Sequence, residues 1–115
     1  HPLTLKTLNN LNLPTEGLYS KTIAECEQFE PDVVITVCGS AAQEACPIFL
    51  GSAIKSHWGL EDPSHLDATE AVKLEAFLET VAHINRRLDA LFQLDFSALS
   101  NEELRLKIEK ISEIQ

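Results

Sequence analysis

Methionine is absent from the 115 residues, and the chain opens on His1-Pro2. A natural chain begins with methionine, so the sequence reads as a fragment, a processed product or an incomplete record. No run approaches the roughly eighteen apolar residues that a membrane-spanning helix needs, so no membrane span is expected. No signal peptide opens the chain, because lysine and asparagine are mixed with its first leucines. Positive charge is scarce: 9 Lys and Arg against 18 Asp and Glu give a net charge of −9. A duplex nucleic-acid binder needs a basic face, so that class is set aside, and an anionic lipid surface is disfavoured for the same reason. A small anionic substrate is still allowed, because backbone N–H groups bind one locally. Internal repeats and low-complexity segments are also missing. The three cysteines, Cys26, Cys38 and Cys46, are an odd number. That argues against a purely structural disulfide framework and for a cytoplasmic setting with redox-active or buried thiols.

What is present suits one small domain with a single core, since 44% of the residues are hydrophobic. Residues 2–12 read as a helix, with Pro2 at its first position, Leu5, Leu8 and Leu11 at helical spacing, and Leu13-Pro14 as its stop. The stretch "TIAECEQFE" reads as a second, short helix, with Thr22 and Glu25 at capping-box spacing and Pro31 beyond its end. Residues 33–37 are apolar at consecutive positions, which fits a strand covered on both faces of a parallel sheet. Residues 41–46 suit a helical turn, and 53–59 a second strand. Asp67 is placed to cap a long helix, with Glu70 at its third position. Leu74, Phe77, Leu78, Val81, Ile84, Leu88, Leu91 and Phe92 form one apolar stripe running to about residue 94. A last helix opens at Ser100, with Glu103 in the capping position, Leu99 and Leu104 as a staple, and a narrow stripe of Leu104, Ile108 and Ile111.

The order is helix, short helix, strand, turn, strand, long helix: an α/β pattern with too few strands. Two strands make a poor sheet on their own. About a strand–helix–strand's worth of chain is therefore expected upstream of His1.

The residues that carry chemistry cluster after the two strands. Cys38 follows the first strand's end, the position from which open α/β sheets face their ligand crevice. Gly39, Ser40, Ala41 and Ala42 are small, so the segment between Cys38 and Cys46 has room to rearrange. Thiol exchange needs an attacking thiolate with access to its target. The plainer reading of each cysteine is a buried thiol, and Cys26 reads as a small core residue inside its helix. Asp62, before Pro63, reads as a turn starter. His57 invites a zinc site with Cys38 and Cys46, but the spacing fits no paired-ligand pattern, and no metal is expected. His83 reads as a residue of the long helix's surface or core edge.

The phrases "HPLTLKTL", "GLYSK", "DVVITVCGSAAQEACP" and "HWGLEDP", in this order and spacing, resemble the arsenate reductases built on the low-molecular-weight protein tyrosine phosphatase fold. The resemblance covers residues 1–94, a partial domain of that family. Residues 95–115 are a helical extension outside it. It implies an open parallel sheet flanked by helices, incomplete here, with an extra C-terminal helix.

It also implies a reaction in three thiol steps on arsenate or a phosphate-like oxyanion. A nucleophilic cysteine attacks arsenate, a second cysteine attacks the first and releases arsenite, and the disulfide passes on. Cys38 matches the second cysteine, Cys46 the region of the third, and Asp62 the general acid, which would need burial to raise its pKa, with Trp58 and Leu60 placed to supply an apolar wall. No cofactor is implied beyond a thiol reductant: thioredoxin, glutaredoxin or a low-molecular-weight thiol. The eight-residue interval from Cys38 to Cys46 differs by one from some thioredoxin-linked members, which raises the glutaredoxin or small-thiol route. Lys21 stands where some members place an acidic residue that helps bind a monovalent cation, and its ammonium would replace that ion. The family's nucleophile loop, Cys-x5-Arg-Ser, has no counterpart here, because the only arginines are Arg86, Arg87 and Arg105. It is expected upstream of His1, and these residues alone are expected to be inactive. The alternatives are a low-molecular-weight tyrosine phosphatase, which needs no resolving thiol, and a catalytically silent fragment. A strand 33–37 without its upstream partner would leave an unpaired edge, so two copies of the chain are expected to associate through it.

Overall fold

The computed structural model describes residues 1–38 and 52–115. Cys46 and the helical turn expected over 41–46 lie outside the described residues. The chain runs through helix α1 (Pro2–Asn10), a single-turn α2 (Ile23–Cys26), strands β1 (Val33–Thr36) and β2 (Ile54–His57), a long helix α3 (Glu70–Phe92) and helix α4 (Asn101–Ile111). None of the described helices is long and apolar enough to cross a membrane.

Local chemistry explains where most elements start and stop. His1 Nδ1 accepts the Leu3 N–H at 3.1 Å, with Pro2 at the first helical position. Asn12 takes a left-handed φ of 57°, and the Leu13 N–H reaches back to the Leu8 carbonyl at 2.9 Å while Asn12 N–H reaches Asn9 at 3.0 Å. That is a Schellman closure, so α1 ends at Asn10, short of the expected residue 12. The expected leucine stripe is only partly buried: Leu5 and Leu11 are exposed, and the residue turned fully inward is Thr7. The reciprocal Thr22–Glu25 box is present, with Thr22 N–H on Glu25 Oε2 at 2.7 Å and Glu25 N–H on Thr22 Oγ1 at 3.2 Å. It opens a helix of only 4 residues, which tightens into a 3₁₀ turn over Glu27–Phe29. For α3 the cap is Thr69 and not Asp67: the Thr69 Oγ1 accepts from Val72 N–H, and its carbonyl from Lys73 N–H. Glu70 is therefore the first helical residue. Ser100 caps α4 as expected, accepting the Glu103 N–H at 3.2 Å. Asp95 folds the linker between α3 and α4 by accepting from Ser97 N–H, Ser97 Oγ and Ala98 N–H.

The two strands pair in parallel, Val33 opposite Ile54 through Thr36 opposite His57. This is an α/β arrangement with a small parallel sheet, and among the described residues β1 pairs with β2 alone. Every β1 residue is half-buried, less covered than the two-faced burial read from its sequence. The face that is covered meets α4. Trp58, Leu104, Ile108 and Ile111 are buried together, with Val33, Ile35, Ile54, Leu88, Leu91 and Leu99 packed around them. The narrow stripe of the last helix is thus the centre of the core. α3 lies beside α4, and its far end carries α1, where the His1 and Phe77 rings sit 5.4 Å apart.

Ile108 has no exposed surface. Ile108→Ala is expected to lower unfolding free energy by about 2–5 kcal/mol, read from urea denaturation. Leu106→Ala, at a site 54% exposed on the same helix, should stay within about 0.5 kcal/mol. Equal losses at both positions would show that α4 does not pack as described.

Candidate functional site

Beyond the last paired residues, Thr36 and His57, the two strands stay joined. Trp58 N–H donates to the Thr36 carbonyl at 2.8 Å, and Leu60 N–H to the Val37 carbonyl at 2.7 Å. The ladder therefore runs past both strand ends and joins the segments that carry the candidate residues. Cys38 is the next residue after Val37, and it is exposed. Asp62 stands two positions after Leu60. A parallel sheet sends both segments out of the same end.

Asp62 is built into the loop as a cap. Its Oδ1 accepts the Ser64 N–H at 2.8 Å and the Ser64 Oγ at 2.6 Å, opening a 3₁₀ turn over Pro63–His65. His65 Nε2 lies 3.7 Å from Oδ2. The Ser64 hydroxyl, then the Ser64 N–H, hold the Asp62 carboxyl below its ordinary value, with a smaller push from His65. Half of the side chain, 51%, is exposed. The apolar wall expected from Trp58 is not there: Trp58 is turned into the core, where its indole N–H donates to the Ile108 carbonyl at 3.0 Å. In this arrangement Asp62 is an ionised, hydrogen-bonded carboxylate.

The loop faces a depression of about 880 Å³ lined by Leu60, Asp62, Pro63, His65, His83 and Arg87, among others. Arg87 is the residue that sequence reading missed. It is 3% exposed, and its guanidinium donates to three carbonyls: Trp58 at 2.8 Å, Ser112 at 3.0 Å and Ile114 at 3.0 Å. Burial pulls its pKa down from the ordinary arginine value. Its position on the buried side of the α3 stripe, between Ile84 and Leu91, was the available signal. His83 sits at the core edge, its Nε2 2.8 Å from the Ile114 carbonyl. His57 Nδ1 lies 2.7 Å from Thr36 Oγ1, a cross-strand pair. No group of three metal-ligating side chains occurs among the described residues. Lys21 donates to the Tyr19 carbonyl at 3.2 Å and lies 4.0 Å over the Tyr19 ring.

Comparison with known proteins adds the following. The sequence profile of the low molecular weight phosphotyrosine protein phosphatase family matches residues 1–106. The chain is 27% identical over 88 residues to an arsenate reductase of Halalkalibacterium halodurans, covering 76% of this chain and 63% of the relative. It is 28% identical over 88 residues to the arsenate reductase of Bacillus subtilis, with the same coverage of 76% and 63%. Over a shorter stretch of 57 residues it is 37% identical to an arsenate reductase of Bacillus licheniformis, half of this chain (50%) and 40% of the relative. The chain thus spans 63% of the length of the first two relatives. No solved structure is a significant match.

The lowered Asp62 pKa has a direction that can be checked. A folded-state pKa below the unfolded one adds stability above the ordinary carboxylate range of about 4, lost as pH falls through the folded value. Ser64→Ala removes the larger of the two bonds that lower it. The Asp62 carboxyl resonance should then titrate at higher pH. The melting temperature of the variant should fall below that of the wild type near neutral pH and converge with it in acid. A titration unchanged by the substitution would show that the Ser64 hydroxyl does not hold this carboxylate.

Proposed function

Since the chain belongs to the low-molecular-weight phosphotyrosine protein phosphatase family, we propose that it is part of an arsenate reductase, supplying the resolving Cys38 and the proton donor Asp62. The observation that carries this reading is the Leu60–Val37 hydrogen bond. It holds an exposed thiol and a carboxyl-bearing loop at one end of the sheet, one and two residues beyond the same contact. The relatives named arsenate reductase support the choice of reaction.

The electron balance follows from two thiols. A cysteine supplied by the rest of the active site attacks arsenate at arsenic, and an oxygen leaves as water. Asp62 gives the leaving oxygen its proton. The Cys38 thiolate then attacks the sulfur of that cysteine. The S–S bond forms as the S–As bond breaks, and its electron pair stays on arsenic, which leaves as arsenite. The disulfide would next pass to Cys46, and a thiol reductant, either a redoxin or a small thiol, then reduces it and regenerates the thiols. Asp62 enters this cycle ionised. A bound oxyanion beside it raises its pKa by like-charge repulsion. Protonation therefore couples to substrate arrival, with the Ser64 hydroxyl free to turn from acceptor-facing to oxyanion-facing.

A phosphatase is the second reading, supported by the name of the matched family. It gives Asp62 the same role and leaves Cys38 without one. Full-length protein carrying Cys38→Ser separates the two readings. It should complete one arsenate attack and then stop, while a phosphatase would turn over unchanged. Multiple turnover of arsenate with this variant would remove Cys38 from the mechanism. Asp62→Asn should lower kcat by about 10²-fold, with KM within about threefold. A rise in KM at constant kcat would assign Asp62 to binding instead.

A further inference from the structure

Trp58 has every polar group engaged. Its N–H goes to Thr36, its indole N–H to Ile108, and its carbonyl to Arg87 Nη1. It is also the last residue before the Gly59–Asp62 segment leaves the sheet. The other two bonds of Arg87 run to Ser112 and Ile114, on the chain that follows α4. One buried cation therefore ties the exit of β2 to the end of the last helix. Carbonyls past a helix's C-terminal end carry the negative pole of its dipole, so a guanidinium is well placed to meet them. Lysine would not serve equally, because its compact ammonium on a flexible stem lacks the fixed planar fork of a guanidinium.

We propose that Arg87 is the positioning residue of the junction between the segments that carry Cys38 and Asp62: by fixing the Trp58 carbonyl against the chain after α4, it holds Leu60 in register with Val37, and so sets where the Asp62 loop leaves the sheet. What the junction does rests on the arsenate reductase reading. How it is held does not. Without the guanidinium the Trp58 carbonyl is a buried acceptor with its partner gone, and the segment after it relaxes away from β1. The opposite end of β2 has its own anchor, the Ile54 N–H on the Asp32 carbonyl at 2.8 Å. It lies at the other end of the strand from the Arg87–Trp58 bond and serves as the internal reference.

Amide hydrogen exchange on the full-length protein tests this with Arg87→Gln and Arg87→Lys. The Leu60 amide should exchange at least about tenfold faster in the glutamine variant, while the Ile54 amide changes less than about twofold. The lysine variant should fall between wild type and glutamine. Equal acceleration at both amides would make Arg87 a residue of global stability only, and no acceleration at Leu60 would remove its hold on the loop; either overturns the proposal. If the glutamine variant does not fold, the same contrast is read from the lysine variant. Turnover supplies the functional arm: kcat for arsenate should fall with KM unchanged, and lysine should recover part of the loss. A rise in KM at constant kcat would overturn the positioning role. If the wild-type full-length protein reduces no arsenate, the reductase reading fails by itself, and the exchange contrast still decides the role of Arg87.

Discussion

A cation buried against backbone carbonyls, with no carboxylate beside it among the described residues, is the constraint around which the C-terminal half of this chain is folded. Moving a guanidinium out of water is costly, and acceptors for its N–H groups offset that cost. Arg87 finds three in backbone carbonyls on both sides of it in sequence: one upstream at Trp58, two downstream at Ser112 and Ile114. Neutral dipoles in place of a carboxylate leave the group charged and tie three chain segments to one point. The neighbouring bonds of His83 to Ile114 and Arg86 to Gln115 lie on the same seam. The long helix α3 thus holds the chain after α4 through polar contacts, and α4 holds the sheet through apolar ones.

That division of labour answers the problem posed by so small a sheet. A pair of strands gains little from its own ladder and needs a helix to cover at least one face. Ile35 and Ile54 find that cover in Leu104, Ile108 and Ile111, with Trp58 filling the junction. Trp58 can be buried this deeply only because its indole N–H reaches the Ile108 carbonyl. The same residue therefore serves the apolar core and the polar seam. The register of the two strands, the placement of the last helix and the path of the Asp62 loop all meet at it.

Much of this was legible because its causes are local. The Thr22–Glu25 box, the Ser100 cap, the apolar run from Val33 and the Leu104–Ile108–Ile111 stripe each depend on neighbours within a turn or along one strand. The misreadings share a different cause. Thr69 displaced Asp67 as the cap because both are good capping residues and only the backbone's turn into α3 decides between them. Leu5 and Leu11 kept helical spacing yet remained exposed, since periodicity shows that a face exists and not that a partner covers it. Trp58 was read as a wall for Asp62 from adjacency in sequence. Its true neighbours are fifty residues away in the last helix. Arg87 was invisible as a hub because its acceptors are carbonyls, which carry no residue identity for a sequence to display. In the candidate site, the placement of Cys38 and Asp62 after successive parallel strands could be read from the sequence, while the electrostatic state of Asp62 could not.

That electrostatic state constrains what the junction can do. A carboxylate held down by a hydroxyl and an amide N–H does not carry a proton at neutral pH, so Asp62 at rest is not an acid waiting for substrate. On the proposed reductase reading, its proton has to come with the oxyanion or be drawn in by it. The geometry favours this over permanent burial. An exposed carboxylate exchanges protons with water quickly, and the Ser64 hydroxyl, unlike the amide, can rotate. One of the two bonds that lower the pKa is therefore removable by rotating a single torsion, while the other keeps the loop in place. If Asp62 is the proton donor of the proposed reaction, a site arranged in this way protonates it only when negative charge is present beside it. An aspartate kept neutral by an apolar wall would lose that selectivity, and Trp58, committed to the core, is not available to build one.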